Sequence, residues 1–150
     1  MIEIDEEEDR AKEELKRADH MVYVSLKYTR TADVIKNIIK RLISSFEYTI
    51  LDALEYYKNR KKIDNIPESS GERLELFEKL FKENIKQYIK LYQLLKKMDN
   101  APYQSKEEFR KNLTFMPKIG NKVFEVKMYD ITEYFLKTKE FYSIVRSQLS

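Results

Sequence analysis

The chain has 150 residues, 42% of them hydrophobic and 37% charged; that length and balance suit one globular domain with a real core and exclude a disordered chain. It holds no cysteine, one histidine, two glycines and three prolines, so disulfides, thiolate metal sites and cysteine nucleophiles are excluded, and long helices with short connections are expected over an all-β chain rich in turns. The net charge of +3 hides an asymmetry: Glu3, Asp5, Glu6, Glu7, Glu8 and Asp9 form an acidic tip, and the remaining 20 of the 26 acids face all 29 bases over residues 10–150.

Residues 1–9 contain neither a basic region nor an apolar stretch, and no apolar run approaches the ~20 residues of a membrane span. The expectation is a soluble cytoplasmic protein with no membrane partner. A first helix is predicted from near Asp5, with Ala11, Leu15, Ala18, Val22 and Ser25 or Leu26 as its buried stripe. Met21, Tyr23 and Val24 fall off that stripe and mark a second apolar face. Thr31 is the predicted N-cap of a long helix reaching about Arg60, with Ile35, Ile38, Leu42, Phe46, Ile50, Ala53 and Tyr57 along its core side. It ends in Lys58, Arg60, Lys61 and Lys62, where cations complement the helix dipole.

Pro67 closes the following loop, and Ser69 with Glu72 has capping-box spacing for a third helix. Helical period then continues through Leu74, Phe77, Phe81, Ile85, Tyr88, Leu95 and Met98. Whether residues 70–98 form one helix or two, with a break near Asn84, stays open at this point. Ser105 and Glu108 repeat the capping-box spacing and predict a short helix through about Asn112. The period changes to two after that. A hairpin over about residues 114–127 is expected, turning at Gly120 and Asn121 in a type II′ turn. Its register sets Ile119 opposite Lys122, Pro117 opposite Phe124 and Phe115 opposite Val126, with the apolar members on one face. Asp130 and Glu133 then cap a last helix. The predicted fold is mainly α: a four- or five-helix bundle in a single domain, with one β-hairpin before the last helix.

A helix carrying Ala18, Asp19 and His20, a long central helix, then Glu108, Phe109 and Arg110, a hairpin and a final helix together resemble small archaeal helical proteins similar to HEPN bundles. The resemblance covers most of the chain and implies a helical bundle; many HEPN proteins act in RNA cleavage or nucleotide binding. Catalytic HEPN ribonucleases carry an arginine followed a few residues later by a histidine. Here the only histidine is His20, and Arg10 and Arg17 stand at the wrong distances. The resemblance therefore implies the bundle without that nuclease pair.

No phosphate loop, nucleophile elbow or dinucleotide fingerprint can be built from two isolated glycines. The acids at 6–9 lack calcium-loop spacing, Glu47 and Asp52 do not share a helix face, and Ser44 and Ser45 suit close helix packing. No enzyme, cofactor or metal site is expected, and His20 reads as a surface or partner-facing residue. Lysine supplies the stronger pattern. Lys79, Lys82, Lys86, Lys90, Gln93 and Lys97 recur at helical spacing, with Glu75 and Glu78 placed to neutralise the first two. Lys58, Arg60, Lys61, Lys62, Lys82, Lys86, Lys90 and Lys97 are thus the candidate anion-binding residues. Eleven tyrosines and no tryptophan add aromatic surface suited to interfaces.

Two readings follow. The first is a non-enzymatic interaction module that pairs with a second copy or a protein partner through Met21, Tyr23 and Val24. The second is a HEPN-like bundle that binds RNA or other polyanions weakly through its lysines without cleaving them. Whether the lysines merge into one patch separates the two.

Overall fold

The computed structural model describes residues 9–149. The expected helix start near Asp5 and most of the acidic tip lie outside the described residues. Helix α1 (Arg10–His20) is capped by Asp9, whose side chain accepts the Lys12 N–H at 3.2 Å. It does not stop at His20. It widens into a π-helical turn, Met21–Ser25, and finishes in one α-turn, Leu26–Tyr28. The stripe Ala11, Leu15, Ala18, Val22 and Leu26 is buried as the spacing requires. Its two alanines let α1 lie close on α2 (Ala32–Asn59), near enough for the Ser45 hydroxyl to donate to the Ala11 carbonyl at 3.2 Å.

Helix α2 is the centre of the bundle, and its 28 residues span about 42 Å. Thr31 caps it by accepting from the Val34 N–H. At its other end the Lys61 N–H reaches the Lys58 carbonyl and the Lys62 N–H the Tyr57 carbonyl, the two bonds of a Schellman motif. Lys61 holds the left-handed position of that motif at φ 61°, where glycine is usual.

Two helices occupy the residues from 70 to 100. Helix α3 (Ser70–Leu80) keeps the predicted Ser69 cap, and α4 (Lys86–Asn100) follows a break. Phe81 turns extended after Leu80, and Phe81 and Ile85 both stay buried across the break. The predicted lysine repeat is therefore divided: Lys79 is on α3, Lys82 in the break, and only Lys86, Lys90 and Lys97 share α4.

The short helix predicted over residues 105–112 does not form. Tyr103–Lys106 is instead strand β1, antiparallel to β2 (Thr114–Ile119), with Ser105 opposite Phe115. Glu108 caps a different helix: its Oε2 accepts the Ala32 N–H at the start of α2 at 2.9 Å. The backbone donors of that distant helix end outcompete the local ones.

The predicted hairpin is present in the predicted register. Ile119 faces Lys122 in β3 (Lys122–Val123), and Phe115 faces Val126 in β4 (Val126–Lys127). The Phe124 N–H donates to Pro117 between them, so β3 and β4 are one interrupted arm. Gly120 is at φ 65° and Asn121 is not at positive φ, which fits the type II′ turn. Phe115, Pro117 and Val126 are buried, Ile119 and Phe124 partly so. Helix α5 (Met128–Ser147) begins earlier than predicted: Asp130 accepts the Lys127 N–H at 2.9 Å from inside the first turn. An aromatic core joins four helices, with Phe46 at 4.9 Å from Phe141 and 5.3 Å from Tyr92, and Phe77 at 6.0 Å from Phe141. The chain is mainly α with a small antiparallel sheet before its last helix. No helix among the described residues is long and apolar enough to cross a membrane.

Candidate interaction surfaces

The π turn sets the first surface. Val22 stays buried, Met21 is partly buried, and Tyr23 and Val24 remain 41% and 39% exposed. Tyr23 packs in a T-shaped pair with Phe135 of α5, with ring centroids 6.0 Å apart at 82°. Met21, Tyr23 and Val24 thus lie in one turn, and the bundle covers Tyr23 and Val24 only in part. Asp19 and Lys27, four residues either side of Tyr23, are both exposed.

The candidate anion-binding residues fall in two groups. Helices α2 and α4 run antiparallel, because Lys40 meets Asp99 at 2.9 Å while Tyr92 donates to Glu47 at 2.8 Å. The end of α2, with Lys58, Arg60, Lys61 and Lys62, is therefore at the same end of the bundle as Lys82 and Lys86. Lys90 is a turn further along, and Lys97 lies about 16 Å from Lys86 along the axis of α4. All eight are exposed, and none has a carboxylate within 4 Å among the described residues. Arg60 stacks on Tyr56 at 4.5 Å, and the Lys82 ammonium donates to the Lys79 carbonyl. Lys97 joins Lys96 and Lys118 around a shallow cleft of about 400 Å³ between the end of α4 and the hairpin turn.

His20 lines a second cleft of similar size with Lys16, Arg17, Met21 and Arg41. Buried Glu14 holds the two arginines there, at 3.4 Å and 3.1 Å. Among the described residues, no three His, Asp or Glu side chains group as metal donors.

Sequence reasoning missed two assemblies. In the first, Tyr142 donates to Asp9 at 2.6 Å, and Arg146 reaches Asp9 at 3.7 Å and Asp52 at 3.5 Å. Arg10 reaches Asp52 at 3.9 Å and stacks on Tyr48. Burial pushes the Asp52 carboxyl up to about 6 against the pull of Arg146, and burial with the Asp9 hydrogen bond raises the Tyr142 phenol. Nothing in the spacing of Asp9, Asp52 and Arg146 announces this clasp, since each comes from a different helix end or face. The second assembly joins the end of the first helix to residues 107–112. The Phe109 N–H donates to the Arg30 carbonyl at 2.6 Å beside the Glu108 cap on Ala32. The unused capping-box pattern at Ser105 and Glu108 was its one trace in the sequence. Comparison with protein-family models, curated proteins and solved structures finds no match to this chain.

Proposed function

We propose that this chain is a non-enzymatic interaction module that self-associates through the π turn of its first helix. The observation that carries this reading is the exposure of Tyr23 and Val24 on that turn. π turns are rare in helices and occur disproportionately at functional positions. A two-fold pairing needs a self-complementary patch. Antiparallel first helices centred on Tyr23 would set Asp19 of one copy against Lys27 of the other, an opposite-charge pair on each side of the apolar contact. Sedimentation at micromolar concentration is expected to give a dimer that Val24→Glu weakens. Asp19→Lys should weaken it too, and Asp19→Lys with Lys27→Asp should restore it. A strict monomer at all concentrations overturns the reading.

A second reading is favoured by the eight cations that lack a carboxylate neighbour among the described residues: binding of RNA or another polyanion without cleavage. It extends the HEPN-like resemblance, minus the nuclease pair. Lysine presents a mobile point charge rather than a base-reading fork, so binding should be weak, salt-dependent and insensitive to sequence. Anisotropy with labelled single-stranded RNA, at roughly 50 and 200 mM salt, checks it. No binding at the lower salt retires it.

A further inference from the structure

The junction between the first helix and residues 107–112 is built more tightly than a surface connection requires. Its two bonds, from Phe109 to Arg30 and from Ala32 to Glu108, tie together segments 76 or more positions apart. Glu107 and Phe109 are held at φ 59° and 68°, a region that costs a side-chain-bearing residue roughly 1–2 kcal/mol. Such strain persists only where the surroundings impose it.

The junction displays aromatic rings. Tyr28 is 86% and Phe109 72% exposed, the two highest values among the large hydrophobic side chains described. Tyr28 precedes by two residues the carbonyl that Phe109 binds, so one joint carries both rings. Cations flank them in the chain. Arg30, Arg110 and Lys111 have no carboxylate within 4 Å among the described residues. The Arg30 Nε is buried with no hydrogen-bond partner, an unusual state for a guanidinium. Glu108 is engaged by Ala32, leaving Asp33 and Glu107 as the nearby exposed acids.

We propose that Tyr28, Arg30, Phe109 and Arg110 form a binding site for single-stranded nucleic acid, with unstacked bases on the two rings and phosphates on the arginines. Exposed ring faces accept any base, and the exposed guanidinium of Arg110 matches a phosphate oxygen pair. A duplex hides its base faces inside the stack and can use only the cations. A membrane surface is the poorer fit. It needs a continuous apolar wedge, whereas these rings alternate with charged residues and one ends in a hydroxyl.

This inference rests on the polyanion reading but assigns the contact to a different surface from the lysines of α2 and α4. The test is fluorescence anisotropy of the full chain with labelled oligouridine, oligothymidine and an RNA duplex of equal length at about 50 mM salt. Tyr28→Ala and Phe109→Gly are the informative variants: one removes an exposed ring, the other removes a ring and relieves the backbone. A cooperative thermal melt no lower than that of the unmodified chain verifies that both fold. Each variant should lose roughly five- to hundredfold in affinity for either single strand. Arg110→Glu should weaken binding as well, and the duplex should bind less tightly than the single strands. With two to four phosphates contacted, the log–log salt slope should be about −1.4 to −2.8. Retained single-strand binding by Tyr28→Ala and Phe109→Gly, with loss in Lys86→Glu/Lys90→Glu/Lys97→Glu, overturns this site and leaves the polyanion reading standing. No binding by the unmodified chain overturns both. Binding to anionic phospholipid vesicles that the ring variants abolish, with no oligonucleotide binding, assigns the site to a membrane and overturns it as well.

Discussion

At the Asp9 end of the first helix, two arginines and two carboxylates are knotted together, with Tyr142 closing the group. At the Tyr28 end, Lys27, Arg30, Arg110 and Lys111 reach no carboxylate among the described residues, and aromatic rings stand in solvent beside them. The two ends share one core and one pair of helices, yet one satisfies its charges internally and the other presents them. Half-buried charges need partners because desolvation penalises them, so the clasp fastens α1 and α5 to α2. The exposed cations Lys27, Arg110 and Lys111 carry no such requirement, and leaving them unpaired makes them available to an anion.

The widest disturbance comes from the core that both ends share. Phe141 is fully buried against Phe46, Phe77 and Tyr88. Phe141→Ala should cost roughly 3–5 kcal/mol in chemical denaturation and loosen both ends together. Arg146→Ala separates them. It strips the shared cation from Asp9 and Asp52 and should cost about 1–2 kcal/mol, an intermediate figure because the arginine is itself partly exposed. Lys111→Ala at the open end should stay within about 0.5 kcal/mol. Equal losses from the two would erase the contrast.

Acidity sharpens it further. The Asp52 carboxyl, raised to about 6, holds a proton more readily in the folded chain than at its unfolded value of 3.8. The folded state therefore gains protons between those values, and stability is greatest below the unfolded value and falls as pH rises through about 6. From pH 7 to about 5 the chain should gain about 1 kcal/mol, less any opposing titration elsewhere. Asp52→Asn should remove that part of the pH dependence; an identical profile in the variant would show that Asp52 is not its source. The smallest effect belongs to the open end. Phe109→Gly frees a left-handed position, and the relief exceeds the added flexibility of the unfolded chain by about 0.5 kcal/mol. Thermal melting should rise slightly, and a clear drop would mean that the ring supports the fold.

Much of the fold was legible because it follows from local chemistry. Thr31 caps α2 as its side chain and position predict, and the stripe from Ile35 to Ala53 is buried at its helical spacing. Gly120 sets the turn from which the hairpin register follows. The break between α3 and α4 was visible only as an option, because Phe81 and Ile85 keep helical spacing while the chain between them is not helical. The π turn left no mark on spacing beyond an excess of apolar residues from Met21 to Val24. The candidate surfaces were less legible still. The lysines were named correctly as exposed cations, but their division between two ends of the bundle depends on how α2 and α4 pair.

The sequence by itself determined where α2 and α3 start, which faces are apolar, and that one hairpin precedes the last helix. Those features rest on contacts between residues a few positions apart. Only the tertiary structure decided what the leftover hydrogen-bonding and charged groups do. Glu108 has the spacing to cap its own helix and caps α2 instead, because the Ala32 N–H at a helix start is a donor without an intrahelical partner. With Glu108 engaged there, β1 extends along β2 and Phe109 is drawn against Arg30. Asp52 likewise finds its counter-charges on Arg10 and Arg146, far away in sequence. A buried polar group takes the best partner in space, and spacing along the chain does not encode which partner that is.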